Sequence, residues 1–172
     1  IDVSLVVKYL PALLKGAGIS ILISASSLSL GIISGLGIAV CHFYGSALLR
    51  SILNVYLSVI RGTPMLVQIG FLYYFLTTSG ITSSGVIAAI IAIGLNSGAY
   101  MSEVFRGGMQ AVSAGQFEAA QTLGIPTFTI IRCIILPQAI RIVLPSLGNE
   151  AVTLVKDSSL ASTIGVAELY RQ

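Results

Sequence analysis

The residues best suited to chemistry in this sequence are charged, hydroxyl and amide side chains inside or beside long apolar segments. They are Asn96, Ser97, Glu103, Glu150, Lys156, Asp157 and Ser158. A charged side chain at the centre of a membrane-spanning helix costs at least about 2.5 kcal/mol, so such residues face protein or a wet cavity, or lie near the membrane surface. The set therefore predicts a polar, partly acidic path for a solute.

Lys156 and Asp157 are neighbours at the end of an apolar run, and two interpretations fit them. The opposite charges could simply neutralise each other. Alternatively they meet a zwitterion, with Lys156 facing a carboxylate and Asp157 facing an amino group. Irregular backbone would then be tolerated there because it lines a cavity.

Glu103 and the segment Arg61-Gly62-Thr63-Pro64 also allow two interpretations each. Asn96, Tyr100 and Glu103 recur at steps of four and three, which places them on one helical face. Glu103 either pairs with Arg106 near the membrane surface or faces protein or a wet cavity. The arginine of the Gly-Thr-Pro segment could merely snorkel to the headgroups, or it could also line the path or stabilise a kink.

The elements that must position these residues are membrane helices. The 172 residues are 55% hydrophobic and 9% charged, with a mean hydropathy of +0.97, whereas soluble domains carry about 25% charged residues. Charge-free runs over 16–49 and 62–102 exceed the roughly 20 residues that cross a bilayer. We predict an all-α polytopic membrane protein, one domain over 1–172, with crossings at about 17–41, 53–76, 86–105 and 138–155.

The first predicted crossing carries a stripe of small residues on one face, which favours close helix packing. The stripe consists of Ser20, Ser24, Ser27, Gly31 and Ser34. Residues 1–15 mix apolar positions with two lysines and Pro11, which predicts an amphipathic lead-in lying at the interface.

Several function classes are disfavoured. The net charge of +3 includes no run of basic residues, so we do not expect nucleic acid as a partner. Cys41 and Cys133 lack metal-like spacing and are interpreted as packing residues. Without a nucleophile constellation or a set of metal ligands, we expect a non-catalytic chain that binds no metal or cofactor and receives its energy from outside.

The distribution of basic residues indicates an orientation. The connections on one side contain Arg50, Arg106 and Arg132, whereas the connection over 77–85 has no basic residue. The arginine side should be cytoplasmic and the N-terminus outside. Two lysines among the first 15 residues argue mildly against this orientation.

A short helix is predicted at about 114–123, between the third and fourth crossings. Ser113 and Gln116 have the spacing of a capping box, Gly124 suits a left-handed C-terminal position, and Pro126 prevents continuation. Such a helix is about 15 Å long, too short to cross the membrane. It is either a docking projection on the cytoplasmic side or a simple interfacial helix.

The spacing around this helix resembles a known signature. Glu118-Ala119-Ala120 is followed after three residues by Gly124, and after nine more by Ile134-x-Leu136-Pro137. This resembles the EAA signature of permease subunits from binding-protein-dependent ATP-binding-cassette importers. Three further stretches resemble the branch that imports polar and cationic amino acids: Arg61-Gly62-Thr63-Pro64, Asn96-Ser97 with Glu103, and 148–150 with 156–158.

The resemblance implies a type I importer permease fold in a bacterial inner membrane. The short helix would be the coupling helix, seated in a separate ATPase through Glu118, Ala119, Ala120 and Gly124. The expected partners are a cytoplasmic ATP-binding subunit that holds ATP and Mg²⁺, an extracellular or periplasmic solute-binding protein, and a second permease copy, identical or related. In this context the zwitterion interpretation of Lys156 and Asp157 is favoured.

The family usually has one more hydrophobic helix after the last motif, so we expect five crossings where four are visible and infer that the chain is incomplete. A gradient-driven transporter or channel for small polar solutes is the alternative, since intramembrane charges and kinked helices suit it equally. That alternative leaves the EAA spacing unexplained.

Overall fold

The apolar segments fold as helices, because a helix satisfies its own backbone hydrogen bonds where no water is present. The computed structural model describes residues 3–171, and side chains from residue 8 onward. The α-helices are α1 Val3–Tyr44, α2 Ala47–Gly62, α3 Met65–Thr78, α4 Gly85–Gln110, α5 Ala114–Thr122, α6 Thr127–Ile130 and α7 Leu136–Asp157. A π-helical turn at Ile131–Ile135 joins α6 to α7, and 3₁₀ turns follow at Ser158–Ile164 and Leu169–Arg171.

Within residues 3–171, three stretches are long and apolar enough to cross a membrane: Lys8–Tyr44, Gly85–Gln110 and Thr127–Ile164. The first differs from the prediction, because α1 runs without interruption from Val3 and includes Pro11. Over the described residues the lead-in predicted at 1–15 is thus continuous with the helix of the first crossing. A proline removes one backbone hydrogen bond, whereas ending the helix would expose several polar groups.

The predicted second crossing at 53–76 is not one helix. It consists of α2 and α3, which meet at an angle of 107° and together count as a possible fourth span. Pro64 causes the break, because it lacks an N–H and disfavours helical backbone at the preceding residue. Thr63 is accordingly extended, with φ −110° and ψ 141°. We refer to Thr63-Pro64 as the break.

The predicted stripe of small residues on α1 packs closely against α4, and we call this contact the seam. A Cβ added to Gly31 would lie 2.5 Å from Ser97 Oγ, and one added to Gly98 would lie 2.2 Å from Ser34 Oγ. Only residues this small allow the two backbones to approach so closely. The hydroxyl of Ser27 also donates across the seam to the Ile90 carbonyl, at 3.2 Å.

The last long stretch begins about ten residues before the predicted crossing at 138–155, because α6, the π-helical turn and α7 follow one another directly. The Leu136-Pro137 pair of the signature therefore starts α7 instead of preceding a membrane helix. The π-helical turn ends two residues before Pro137, where the regular backbone hydrogen-bond ladder lacks one N–H donor. Pro145 is also inside α7.

Helix α5 occupies Ala114–Thr122, close to the predicted 114–123, and Gly124 takes the expected left-handed conformation with φ +72°. The capping box is wrong. The Ser113 side chain makes no cap hydrogen bond, and the side chain of Gln116 accepts a 2.6 Å hydrogen bond from Gln138 Nε2 in α7 instead. Gln116 thus ties the short helix to the long one.

Candidate functional site

Two neighbouring cavities gather most of the predicted path residues. The first, of about 350 Å³, we call the acidic cavity; its lining is Thr63, Pro64, Met65, Asn96, Tyr100, Glu150, Thr153, Leu154 and Asp157. The second, of about 560 Å³, we call the arginine cavity; its lining is Asn54, Leu57, Ser58, Arg61, Gly62, Tyr100 and Glu103. Tyr100 borders both cavities, and the 61–64 segment contributes two residues to each.

Helical spacing explains why the acidic cavity forms. Glu150, Thr153 and Asp157 recur at steps of three and four, so α7 presents them on one face. Asn96 and Tyr100 are one turn apart in α4, which packs against α7. Ser97 Oγ donates a 2.7 Å hydrogen bond to Glu150 Oε1 and joins the two helices directly. The cavity therefore lies between two spans and the break.

Glu103 lies between two arginines. It accepts a hydrogen bond from Arg106 Nη2 one turn away on α4, and its Oε1 lies 3.7 Å from Arg61 Nη1 on α2. The Arg61 guanidinium is also 5.4 Å from the centre of the Tyr100 ring, within range of a cation–π attraction. Glu103 thus pairs with Arg106 and also lines the arginine cavity. Arg61 lines the same cavity.

The side chains of Lys156 and Asp157 do not share one site. Helix α7 continues to Asp157, and the 3₁₀ turn begins only at Ser158. Adjacent helical residues do not face the same side, and among the described residues Lys156 is exposed and lines neither cavity, whereas Asp157 lines the acidic one. Ser158 is buried, and its hydroxyl donates to the Val155 carbonyl at 2.8 Å. The two charges therefore do not form a common zwitterion site in this conformation.

Gln68 and Thr153 belong to the site but were not singled out in the sequence. Gln68 Oε1 accepts a 3.1 Å hydrogen bond from Asn96 Nδ2. The sequence alone could have indicated Gln68, since it is an isolated amide within the apolar stretch 65–76. Thr153 could have been found from its helical spacing between Glu150 and Asp157.

The signature residues of α5 point in two directions. Ala120 is only 3% exposed and packs in a cluster with core residues of α4, α6 and α7. Glu118, Ala119 and Gly124 are exposed. The small side chain of Ala120 therefore fastens the short helix to the spans, while Glu118 and Ala119 remain accessible to a partner.

Membrane-spanning helices, polar cavities between them and a short exposed helix joining two spans are the features of a transport permease subunit. Residues 27–172 match the family described as "Binding-protein-dependent transport system inner membrane component". The chain belongs to this family, and its fold is that of the importer permeases.

Individual relatives agree with the family. The chain is 41% identical over 169 residues to the putative glutamine transport system permease protein GlnP of Rickettsia prowazekii, covering 96% of this chain and 78% of the relative. It is 42% identical to the probable amino-acid ABC transporter permease protein YckA of Bacillus subtilis, covering 99% and 75%. A solved amino acid ABC transporter with histidines superposes with a TM-score of 0.89 at 37% identity, covering 100% of this chain and 80% of that one.

Proposed function

We propose that this chain is the permease subunit that forms the path for ATP-driven import of polar amino acids, cationic ones included, across the bacterial inner membrane. The acidic cavity is the observation that carries the proposal. Its volume of about 350 Å³ lies within the range of small-molecule sites. Two carboxylates and an amide line it, which favours a ligand that bears an ammonium group.

Family membership and the names of the relatives support an amino acid as the solute. Relatives at about 40% identity are named as glutamine or amino-acid transport permeases. Asp157 and Glu150 add negative charge to the cavity, and this is our reason for including cationic amino acids. Binding-protein-dependent transport also favours this function over a gradient-driven transporter or channel.

The driving force would enter through α5. Glu118 and Ala119 would dock in a cytoplasmic ATPase that binds ATP and Mg²⁺, and Gly124 would end the docking helix. Two connections support transmission to the spans, namely the buried Ala120 and the hydrogen bond between Gln116 and Gln138. A solute-binding protein would deliver the amino acid, and a second permease copy, identical or related, would complete the path.

The test is reconstitution of the chain with its ATPase, its solute-binding protein and its partner permease in liposomes. Each of the twenty amino acids is screened for stimulated ATP hydrolysis and for uptake of the labelled compound. We expect stimulation by polar amino acids, and by arginine, lysine or histidine among the cationic ones. Stimulation by none of the twenty would refute the proposal.

A further inference from the structure

Gln68 makes an unusual set of contacts for a residue of an apolar helix. Its Nε2 donates to the Ile60 carbonyl at 2.7 Å, to the Thr63 carbonyl at 3.0 Å and to Thr63 Oγ1 at 2.7 Å. In an unbroken helix the Ile60 carbonyl would accept from the N–H of residue 64, which is a proline and has none. The Gln68 amide therefore supplies the donor that the break lacks.

These contacts fix the direction of the Gln68 amide. A carboxamide has a donor end and an acceptor end, and backbone carbonyls only accept. Its NH₂ must face the break, so Oε1 faces the opposite way, where it accepts from Asn96 Nδ2 at 3.1 Å. The orientation of the Gln68 amide thereby determines the orientation of the Asn96 amide.

The fixed direction matters because Asn96 lines the acidic cavity together with Glu150 and Asp157. A freely rotating asparagine beside two carboxylates would turn its NH₂ towards them, since charge-assisted hydrogen bonds are the stronger ones. Here the NH₂ is held by Gln68. Within the part of the chain that the structure describes, Asn96 Oδ1 accepts no hydrogen bond.

We propose that Gln68 is a positioning residue that sets the polarity of the acidic cavity by holding Asn96 through its NH₂, so that Asn96 Oδ1 acts with Glu150 and Asp157 as an acceptor for the ammonium group of the transported amino acid. The inference rests on the proposed function and deepens it. It identifies the ammonium group as the part of the ligand that the acidic cavity recognises. It also makes this selectivity depend on Gln68, a residue that does not touch the ammonium group.

The experiment measures binding to the purified complex of permease and ATPase in nanodiscs, without the solute-binding protein, by isothermal titration. The probes are L-glutamine and glutaramate, which lacks only the amino group. In the wild type we expect loss of the ammonium group to weaken binding about tenfold or more, the scale of a hydrogen bond to a charged group. In Gln68→Met, which lacks both amide ends, the difference should fall to about threefold or less.

A second substitution separates positioning from simple support of the break. Gln68→Glu cannot donate to the Ile60 and Thr63 carbonyls, but it still accepts from Asn96, so it should keep most of the preference for the ammonium group. Thr78→Val removes a side-chain-to-backbone hydrogen bond from the other end of α3 and should leave the preference unchanged.

Asn96→Asp provides a further check, because it presents acceptors whichever way it turns. Combined with Gln68→Met, it should restore the preference. If Gln68→Met fails to insert, Gln68→Glu still tests the inference, because it retains the acceptor for Asn96. If a stable Gln68→Met variant binds both probes more weakly by the same factor, Gln68 is merely structural and the inference is wrong. Absence of stimulated ATP hydrolysis by all twenty amino acids in the reconstituted transporter would instead overturn the proposed function.

Discussion

Ser97 and Glu150 join the two helices that form the acidic cavity, through a 2.7 Å hydrogen bond from Ser97 Oγ to Glu150 Oε1. Ser97 is 1% exposed and also belongs to the seam, where its hydroxyl is the atom that a Cβ at Gly31 would strike. One serine thus contacts α1 by packing and α7 by hydrogen bonding. Ser97 therefore links the α1–α4 contact to a residue that lines the acidic cavity.

Substitution of Ser97 by alanine should loosen α7 without disturbing the seam. We expect Ser97→Ala to lower the stability of the permease by about 1 kcal/mol, the scale of hydrogen bonds between membrane helices. Thermal unfolding of the purified chain measures the change. Ser29→Ala is the matched control, because the Ser29 hydroxyl bonds to the Ala25 carbonyl of its own helix and is exposed. Equal stability of the two variants would mean that the link contributes nothing measurable.

Gly35 should not tolerate even a methyl group. A Cβ at this position would lie 2.5 Å from Met101 Cβ and 3.0 Å from the Gly98 carbonyl, and neither can move away cheaply. We expect Gly35→Ala to separate α1 from α4 and to destabilise the chain by about 1–3 kcal/mol. Gly37→Ala places the same methyl in open space on the same helix. It should unfold at the wild-type temperature or slightly above, because alanine favours helix over glycine.

The sequence predicted the seam and the short helix because both follow from local regularities. Small residues at helical spacing identify a packing face, and Gly124 with Pro126 marks a helix end. The predicted helix was present even though its capping box was not, because Gln116 has a partner 22 residues away that no local pattern reveals.

The predictions around the break and around Lys156 were less successful, because packing and helical geometry decide the arrangement there and adjacency in the sequence does not. The sequence 61–64 indicated an irregularity, but the 107° angle between α2 and α3 depends on how α3 packs against α4. Their adjacency in the sequence predicts that Lys156 and Asp157 act as a pair, whereas helical geometry separates the two side chains. Asp157 instead shares a face with Glu150, and a helical projection of 150–157 would have shown this.

The exposed and the buried residues of the signature predict different effects of substitution. Glu118→Arg reverses an exposed charge on α5, so we expect normal insertion and normal stability but weaker co-purification with the ATPase. Ala120→Leu adds volume at a site that is 3% exposed, so the permease itself should be destabilised by about 1–3 kcal/mol. Pull-down yield and thermal unfolding are measured for both variants. If Glu118→Arg retains the ATPase fully and transports normally, α5 is not the docking helix.

Asp157 should matter more for cationic amino acids than for neutral ones. It lines the acidic cavity, and removing one negative charge near a ligand with two positive groups loses more attraction than near a ligand with one. At an effective dielectric constant of about 20, a second charge about 8 Å away contributes roughly 2 kcal/mol before screening. We therefore expect Asp157→Asn to raise the half-saturating concentration about tenfold for arginine and clearly less for glutamine.

The measurement is uptake into liposomes that contain the complete transporter, with the basal ATPase activity as an internal reference for correct assembly. Saturating solute-binding protein is required, because otherwise delivery and not the cavity would limit the rate. Asn149→Ala is a suitable control, since Asn149 is exposed beside Glu150 and is not part of either cavity lining in the described structure. An equal effect of Asp157→Asn on arginine and glutamine would show that Asp157 shapes the cavity without selecting by charge, and the inclusion of cationic amino acids would then lose its physical basis.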